Sequence, residues 1–140
     1  MKNIYSNIFS FNKKILKKTI LSLNQGNLAG LPTETVYGLA GSAYSKIAVK
    51  RIFKLKKRPN NNPLIIHYLS KKDAEKDVIF NNSFNKLYLK FCPGPLTFIL
   101  KKNKKSKIKS EATANLKTVA IRFPAHRVVR SILKKTSFPL

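Results

Sequence analysis

The sequence predicts a single α/β domain in which helices flank a twisted, mixed β-sheet. Short apolar runs typical of strands alternate with longer segments whose apolar residues recur at helical spacing. The chain has 140 residues, 43% of them hydrophobic, which suffices for one domain with one sizeable core. Neither an internal repeat nor a linker divides the sequence. We therefore expect a loose N-terminal arm at 1–9 and one domain at 10–140.

The first predicted elements are a helix at 10–25 and a buried strand at 28–31. Apolar side chains recur along the helix while lysines face outward, with Ser10 as the predicted cap and Gly26 at the end. The strand is predicted to stop at Pro32, because proline has no N–H to donate to a sheet.

A polar loop follows this strand and precedes what looks like a helical pattern. Thr33 and Thr35 supply hydroxyl groups on either side of Glu34, and Gly38 allows close approach of a ligand to the backbone. Open α/β sheets bind ligands where such loops leave the carboxyl ends of strands. Composition alone does not distinguish this interpretation from a threonine-rich strand exit.

The remaining elements follow in order. A helix is predicted at 45–57, with Ala48, Ile52 and Leu55 facing inward, and Pro59 ends it. An apolar strand at 64–69 is predicted to be buried on both faces. Further predictions are a short helix capped by Ser70, a helix at 83–92, a scaffold turn at 93–95, a strand at 96–100, a mobile lysine-dense loop (101–109), a strand at 118–123, a helix at 126–135 and the start of a strand at 138–140. In the strand at 118–123, alternation places Val119 and Ile121 on one face and Arg122 on the other.

The formal net charge is +24, from 29 basic and 5 acidic residues. Such a charge attracts RNA and other polyanions. Nucleic-acid recognition usually relies on arginine, however, whereas 24 of these 29 basic residues are lysine. The 13 asparagines and 13 isoleucines are typical of a general compositional bias. Two interpretations remain open: bias with incidental polyanion attraction, or a selected RNA-binding face.

Several classes of protein are disfavoured. No apolar run approaches the roughly 18 residues of a membrane span, and the N-terminal residues lack the apolar core of a signal peptide. The single cysteine, Cys92, excludes an internal disulfide and a cysteine metal cluster. Neither a phosphate-binding loop with Gly-Lys-Ser nor a His-Glu-x-x-His motif is present. We expect a cytoplasmic protein without a membrane contact or a resident metal site.

Four segments in a fixed order resemble one known family. They are Pro-Thr-Glu-Thr-Val-Tyr-Gly-Leu at 32–39, Lys-Lys-Arg-Pro at 56–59 with Asn-Pro-Leu-Ile-Ile-His at 62–67, Pro-Gly-Pro-Leu-Thr at 93–97, and Thr-Val-Ala-Ile-Arg-Phe-Pro at 118–124. This set resembles the YrdC family of threonylcarbamoyl-AMP synthases. The resemblance covers the chain from about residue 15 to its end, and it implies a YrdC-like sheet with flanking helices.

The resemblance also implies an activity, that of a nucleotidyltransferase. L-threonine, bicarbonate or CO2, and ATP would give threonylcarbamoyl-AMP and pyrophosphate, with Mg²⁺ carried mainly by the triphosphate. The product would serve threonylcarbamoyl-adenosine modification of tRNA, through separate threonylcarbamoyl-transferase proteins. Both chemical steps gather negative charge, so such a site needs fixed cations more than a covalent nucleophile.

Site residues follow from the same resemblance. His67 alone is more typical of a core residue, but the family uses this histidine beside its amino-acid substrate. Glu34 lies inside a motif and receives no role. The implied assignments are Lys56 and Arg58 for catalysis and ATP phosphates, Asn62 and Thr118 for ATP, and Thr35, His67 and Arg122 for threonine.

One departure from the family pattern concerns the last strand. In the family it leads to a Ser-x-Asn motif that completes a tetrad with Lys56 and Arg58, and this sequence ends at Leu140. We therefore expect a domain that is incomplete at its C-terminus. Two alternatives are kept: an RNA-binding or ribosome-associated module that uses the same basic cleft without catalysis, and the carbamoyl-transfer domain of hydrogenase maturation. The latter occurs beside cysteine-rich zinc modules, which this chain lacks.

Overall fold

The computed structural model describes residues 7–140, so the predicted arm at 1–9 lies mostly outside the described residues. The helices are α1 (Lys13–Asn24), α2 (Lys46–Lys56), α3 (Lys71–Ala74), α4 (Asn82–Phe91) and α5 (Arg127–Leu133). The strands are β1 (Ala29–Pro32), β2 (Tyr37–Ala40), β3 (Ile65–His67), β4 (Val78–Ile79), β5 (Thr97–Lys102) and β6 (Thr118–Arg122), with a 3-10 helix at Ser110–Thr113. None of the helices between residues 7 and 140 has the length and apolar character needed to cross a bilayer.

The main sheet has four strands in the order β3–β6–β5–β4. Strand β3 runs parallel to β6, whereas β5 runs antiparallel to both β6 and β4. Strands β1 and β2 form a separate antiparallel hairpin. The predicted α/β class with a mixed sheet is therefore confirmed.

The polar loop is the tip of this hairpin, and the predicted helix does not follow it directly, because strand β2 lies between the loop and α2. The Thr33 hydroxyl accepts hydrogen bonds from the N–H groups of Thr35 (3.2 Å) and Val36 (3.1 Å), and it donates to the Val36 carbonyl at 2.6 Å. These local bonds turn the chain back within four residues. Residues 37–40 then pair with β1, with Gly30 opposite Leu39.

Two helix predictions needed correction at the level of single residues. Helix α1 is capped by Asn12, which accepts from the N–H of Ile15 at 3.0 Å, and not by Ser10. Helix α2 begins after Ser45 as expected. However, Leu55 is 69% exposed, and the inward positions include Phe53 instead. The buried stripe of α2 therefore includes Phe53 in place of the predicted Leu55.

The core lies on one face of the main sheet. Helices α2 and α4 pack there against side chains that alternate along the strands, namely Ile66, Phe98, Leu100, Val119 and Ile121. The alternation predicted for Val119 and Ile121 is confirmed. The opposite face stays open: Ile99 is 73% exposed and Ile65 is 40% exposed. The prediction that the strand at 64–69 is buried on both faces was therefore wrong.

Asp77 is fully buried and binds four donors. One carboxylate oxygen accepts from the hydroxyls of Tyr44 (2.5 Å) and Tyr68 (2.9 Å). The other accepts from the Ser106 hydroxyl (2.7 Å) and the Lys107 N–H (3.0 Å). Burial, followed by the nearby carboxylate, raises the pKa of both tyrosines. The lysine-dense loop, predicted to be mobile, is thus fastened to the core.

The predicted strand at 138–140 is reduced to a single paired residue. Leu140 exchanges two backbone hydrogen bonds with His67, at 2.7 and 3.2 Å, on the side of β3 that faces away from β6. The N–H of Ala43 donates to the carbonyl of Pro139 at 2.9 Å. Leu140 also packs into a second apolar cluster with α1, α5 and β1.

Candidate functional site

The open face of the main sheet carries three rows of side chains. Residues in register across neighbouring strands lie side by side, and residues two apart on a strand share a face. The rows are His67–Arg122–Thr97, Ile65–Ala120–Ile99 and Thr118–Lys101. One polar, one apolar and one hydroxyl-and-cation row thus follow each other across the sheet.

Arg122 is the centre of the first row. Its Nε and Nη2 atoms donate to the Thr97 hydroxyl, at 3.0 and 2.8 Å, and its Nη1 donates to the Thr35 hydroxyl at 3.3 Å. His67 is its register neighbour on β3. The structure therefore brings Thr35, His67 and Arg122 together where the hairpin tip meets the sheet.

Sequence reasoning missed the part played by Thr97. The turn at 93–95 was interpreted as scaffold, and Thr97 follows as the first residue of β5. Its hydroxyl fixes the guanidinium of Arg122 through two bonds. The available signal was the hydroxyl residue in the 93–97 motif, on the face opposite the core residue Phe98.

His67 is neutral at pH 7. Burial, followed by the positive charge of Arg122, lowers its pKa to about 4, while the negative charge of Glu34 acts in the opposite direction. Its Nε2 atom is buried and has no hydrogen-bond partner among the described residues. A neutral imidazole with a free ring nitrogen can bind a substrate hydroxyl or amine as donor or acceptor.

This pKa predicts an acid sensitivity. The unfolded state binds a proton near the ordinary pKa of 6.5, and the folded state only near 4, so stability falls as the pH drops through that interval. We expect His67→Gln to flatten the dependence of the unfolding free energy on pH between these values. The slope should fall by an amount that corresponds to at most about one bound proton. Urea titrations at several pH values measure this slope. An unchanged slope in the variant contradicts the prediction, and His126→Gln is the matched control.

The nucleotide residues predicted near the end of α2 are also found together. The guanidinium of Arg58 donates to the Asn62 carbonyl (2.9 Å), the Asn62 side-chain oxygen (2.6 Å) and the Pro63 carbonyl (2.7 Å). Lys56, Arg58 and His67 line one cleft of about 210 Å³, between the hairpin and β3. Phosphate-sized anions would meet two cations there.

Thr118 lies apart from this cleft. It is exposed at the start of β6 and shares the open face with Arg122, four residues away, which is roughly 13 Å along a strand. A contact with a nucleotide that spans this face is geometrically compatible with that position. Its predicted role in ATP binding stays a prediction.

Glu34 connects the hairpin tip to α5. One of its carboxylate oxygens accepts from the N–H groups of Ala125 (3.2 Å) and His126 (3.4 Å), directly before the helix. The other oxygen is buried and has no partner within residues 7–140. The hairpin tip is thus fixed next to the first row.

Electrostatically, the described part of the chain is strongly cationic. Its one ion pair within 4.0 Å joins Lys46 and Glu111, at 3.0 Å. Asp77 is buried in the core, where its carboxylate accepts from four donors, and Asp73 is hydrogen-bonded to the Ser70 hydroxyl at 2.5 Å. The positive charge around the cleft is therefore barely offset by acids.

Comparison with known proteins decides the family. The model of the Sua5/YciO/YrdC family, described as telomere recombination, matches residues 22–140. The chain belongs to the Sua5/YciO/YrdC family. The resemblance noted from the four motifs is thereby confirmed.

The curated relatives carry a common name. The chain is 40% identical over 121 residues to the threonylcarbamoyl-AMP synthase of Pyrococcus abyssi, covering 84% of this chain and 34% of the relative. It is 35% identical over 133 residues to the threonylcarbamoyl-AMP synthase of Bacillus subtilis, covering 94% and 38%. The chain thus spans little more than a third of these two relatives.

Solved structures share the fold. The crystal structure of P. abyssi Sua5 complexed with L-threonine matches with a TM-score of 0.87 and 36% identity, over 94% of this chain and 38% of that one. Escherichia coli YciO matches with a TM-score of 0.82 at 19% identity, over 93% and 63%, which shows the fold alone. The mixed α/β fold is therefore that of the family.

Proposed function

We propose that this chain carries the active site for threonylcarbamoyl-AMP synthesis. The observation that carries the proposal is the position of His67 and Arg122 in one row, with Thr35 hydrogen-bonded to Arg122, beside the cleft of Lys56 and Arg58. Relatives named threonylcarbamoyl-AMP synthase, and a family member crystallised with L-threonine, support it. The enzyme would be a nucleotidyltransferase with L-threonine, bicarbonate or CO2, and ATP as substrates.

The residues assigned to L-threonine would hold this substrate by its polar groups. Arg122 pairs with the carboxylate, and the two Thr97 bonds hold its guanidinium in place for that contact. Thr35 and neutral His67 flank the remaining groups. The threonine ammonium first loses a proton to water, and its nitrogen then attacks the carbon of CO2. One C=O bond becomes a C–O⁻ bond and a second proton leaves the nitrogen to water, which gives a carbamate held close to the nucleotide.

The cations of the cleft would act in the second step. A carbamate oxygen attacks the α-phosphorus of ATP, the bond from that phosphorus to the bridging oxygen breaks, and pyrophosphate leaves. Lys56 and Arg58 offset the negative charge of the phosphates, and Asn62 holds Arg58 in position. Thr118 would contact the nucleotide further along the open face. Mg²⁺, carried by the triphosphate, supplies further charge neutralisation.

The product would be consumed outside this chain. Threonylcarbamoyl-AMP is an activated mixed anhydride, so a transferase must accept the threonylcarbamoyl group and deliver it to tRNA. We therefore propose a cytoplasmic role in tRNA modification, with the threonylcarbamoyl-transferase proteins as indirect partners.

Pyrophosphate release tests the proposal. The purified chain is incubated with ATP, Mg²⁺, threonine and bicarbonate, and each substrate is omitted in turn. We expect release only in the complete mixture, together with a threonine-containing adenylate detected by mass spectrometry. The proposal is contradicted if pyrophosphate is released equally with and without threonine. It is also contradicted if none is released while the P. abyssi relative is active in the same assay.

A second candidate function is an RNA-binding module that uses the same cleft without catalysis. The net charge of +24 and the single ion pair among residues 7–140 favour it. Such a field attracts any polyanion, so attraction alone does not indicate a selected RNA face.

Salt dependence separates the two candidates. If the lysine excess reflects composition, we expect weak tRNA binding without preference over other RNAs, falling by about 10³-fold or more between 50 and 200 mM salt, because phosphate contacts release counterions. Filter binding with tRNA and an unrelated RNA of equal length measures this. Tight binding at about 200 mM salt that rejects the unrelated RNA favours the RNA-binding module.

A further inference from the structure

Two buried polar atoms at the site lack hydrogen-bond partners. They are one carboxylate oxygen of Glu34 and the Nε2 atom of His67, and among the described residues they are the only buried side-chain polar atoms in this condition. Buried polar groups in folded proteins are nearly always paired, so each exception needs an explanation. Both atoms belong to the region where Thr35 and Arg122 meet. A bound ligand that supplies partners to both explains the two exceptions together.

The position of Glu34 is well defined. Its other oxygen is held by the N–H groups of Ala125 and His126, which orient the carboxylate. The next residue, Thr35, accepts a hydrogen bond from Arg122. The negative charge of Glu34 also raises the pKa of His67, which opposes the effect of burial. This is expected of a carboxylate close to that imidazole ring. Glu34 therefore lies beside the first row, with one oxygen available.

Charge complementarity identifies the ligand group. An amino acid is a zwitterion, and Arg122 is suited to its carboxylate. The ammonium group needs an anionic acceptor, and the other acids are unsuited: Asp77 is saturated by four donors, Glu111 pairs with Lys46, and Asp73 and Glu75 belong to the α3 region. Glu34 is the only acid that adjoins the first row within residues 7–140.

We propose that Glu34 binds the ammonium group of the amino-acid substrate. The carboxylate and ammonium of the substrate are then held by opposite charges, Arg122 and Glu34, which fixes the nitrogen before it reacts. This inference rests on the proposed function, and it assigns to Glu34 the role that sequence reasoning left open.

The substitution Glu34→Gln tests it, because glutamine keeps an oxygen for the N–H groups of Ala125 and His126 but loses the negative charge. Two ligands are compared by calorimetry: L-threonine, and the analogue in which a hydroxyl group replaces the ammonium. We expect the variant to bind threonine about tenfold to a hundredfold more weakly, because hydrogen bonds to charged groups are strong. The analogue should bind both proteins equally. Glu75→Gln, which removes the same charge at the end of α3, outside the cleft and the first row, is the matched control.

The outcomes are distinguishable. If Glu34→Gln weakens both ligands equally, Glu34 only supports the hairpin tip, and the inference is overturned. It is also overturned if the variant keeps the wild-type preference for threonine. If the wild type binds neither ligand, the proposed function fails and the inference with it. Melting temperatures of all three proteins show whether folding contributes to any difference.

Discussion

Replacing Asp77 with alanine is expected to lower the free energy of unfolding by roughly 3–5 kcal/mol. The four donors that now bind its carboxylate would lose their acceptor, and the Tyr68 hydroxyl is buried where water does not easily replace it. Each unpaired buried group costs about 1–3 kcal/mol, and partial access of water at Tyr44 reduces the total. Urea denaturation monitored by circular dichroism measures the loss.

The control for Asp77 is Asp73→Ala, which removes an acid that bonds to the Ser70 hydroxyl at an exposed helix start. Because the Ser70 cap remains, this change costs only about 0.3–1 kcal/mol, the contribution of an acid in the first turn of a helix. Asp77→Asn should fall between the two, because one oxygen remains while an amide N–H2 group faces donors. A loss for Asp77→Ala no larger than the loss for Asp73→Ala would show that the core does not depend on this carboxylate.

Arg122→Lys is expected to weaken threonine binding about tenfold to a hundredfold while leaving ATP binding nearly unchanged. Lysine keeps the positive charge but has no planar fork, so it cannot bond to Thr97 twice and hold a substrate carboxylate at the same time. Calorimetric titration with each substrate separately, at one fixed salt concentration, measures both affinities.

The matched control for Arg122 is Arg51→Lys. Arg51 also uses its guanidinium, which donates to the Gly26 carbonyl and the Asn27 side chain at 3.1 and 3.0 Å, but it lies outside the first row. The Arg51→Lys variant should bind threonine and ATP with unchanged affinity. Equal losses of threonine and ATP binding in Arg122→Lys, or no loss of either, would contradict the assignment of Arg122 to the carboxylate.

The elements that could be predicted from the sequence are those with a local cause. Helix α2 was foreseen because Ala48 and Ile52 recur at helical spacing before Pro59. The orientation of β6 was foreseen because Val119 and Ile121 lie two residues apart, on the face opposite Arg122. Strand β2 was missed because four residues show no periodicity, and its pairing depends on a turn closed by the Thr33 hydroxyl. Leu55 was misplaced since the core, not the helix, decides which stripe is buried.

The candidate site shows the same division. Arg122 was assigned correctly to the open face by alternation along its strand, and its family motif suggested a function. Its anchor, Thr97, is 25 residues away in sequence, and the contact from Glu34 to Ala125 spans 91 residues. Neither contact leaves a trace in local composition. The first is produced by the pairing of β5 with β6, and the second by the packing of the hairpin tip against the start of α5.

The two hydrogen bonds between Leu140 and His67 have a thermodynamic consequence. The backbone of His67 is hydrogen-bonded to Leu140, while its imidazole lines the cleft. A ligand that holds the imidazole therefore also opposes detachment of Leu140, and detachment of Leu140 loosens the imidazole. Because such coupling is reciprocal, occupancy of the cleft and pairing of Leu140 with His67 must strengthen each other by the same factor.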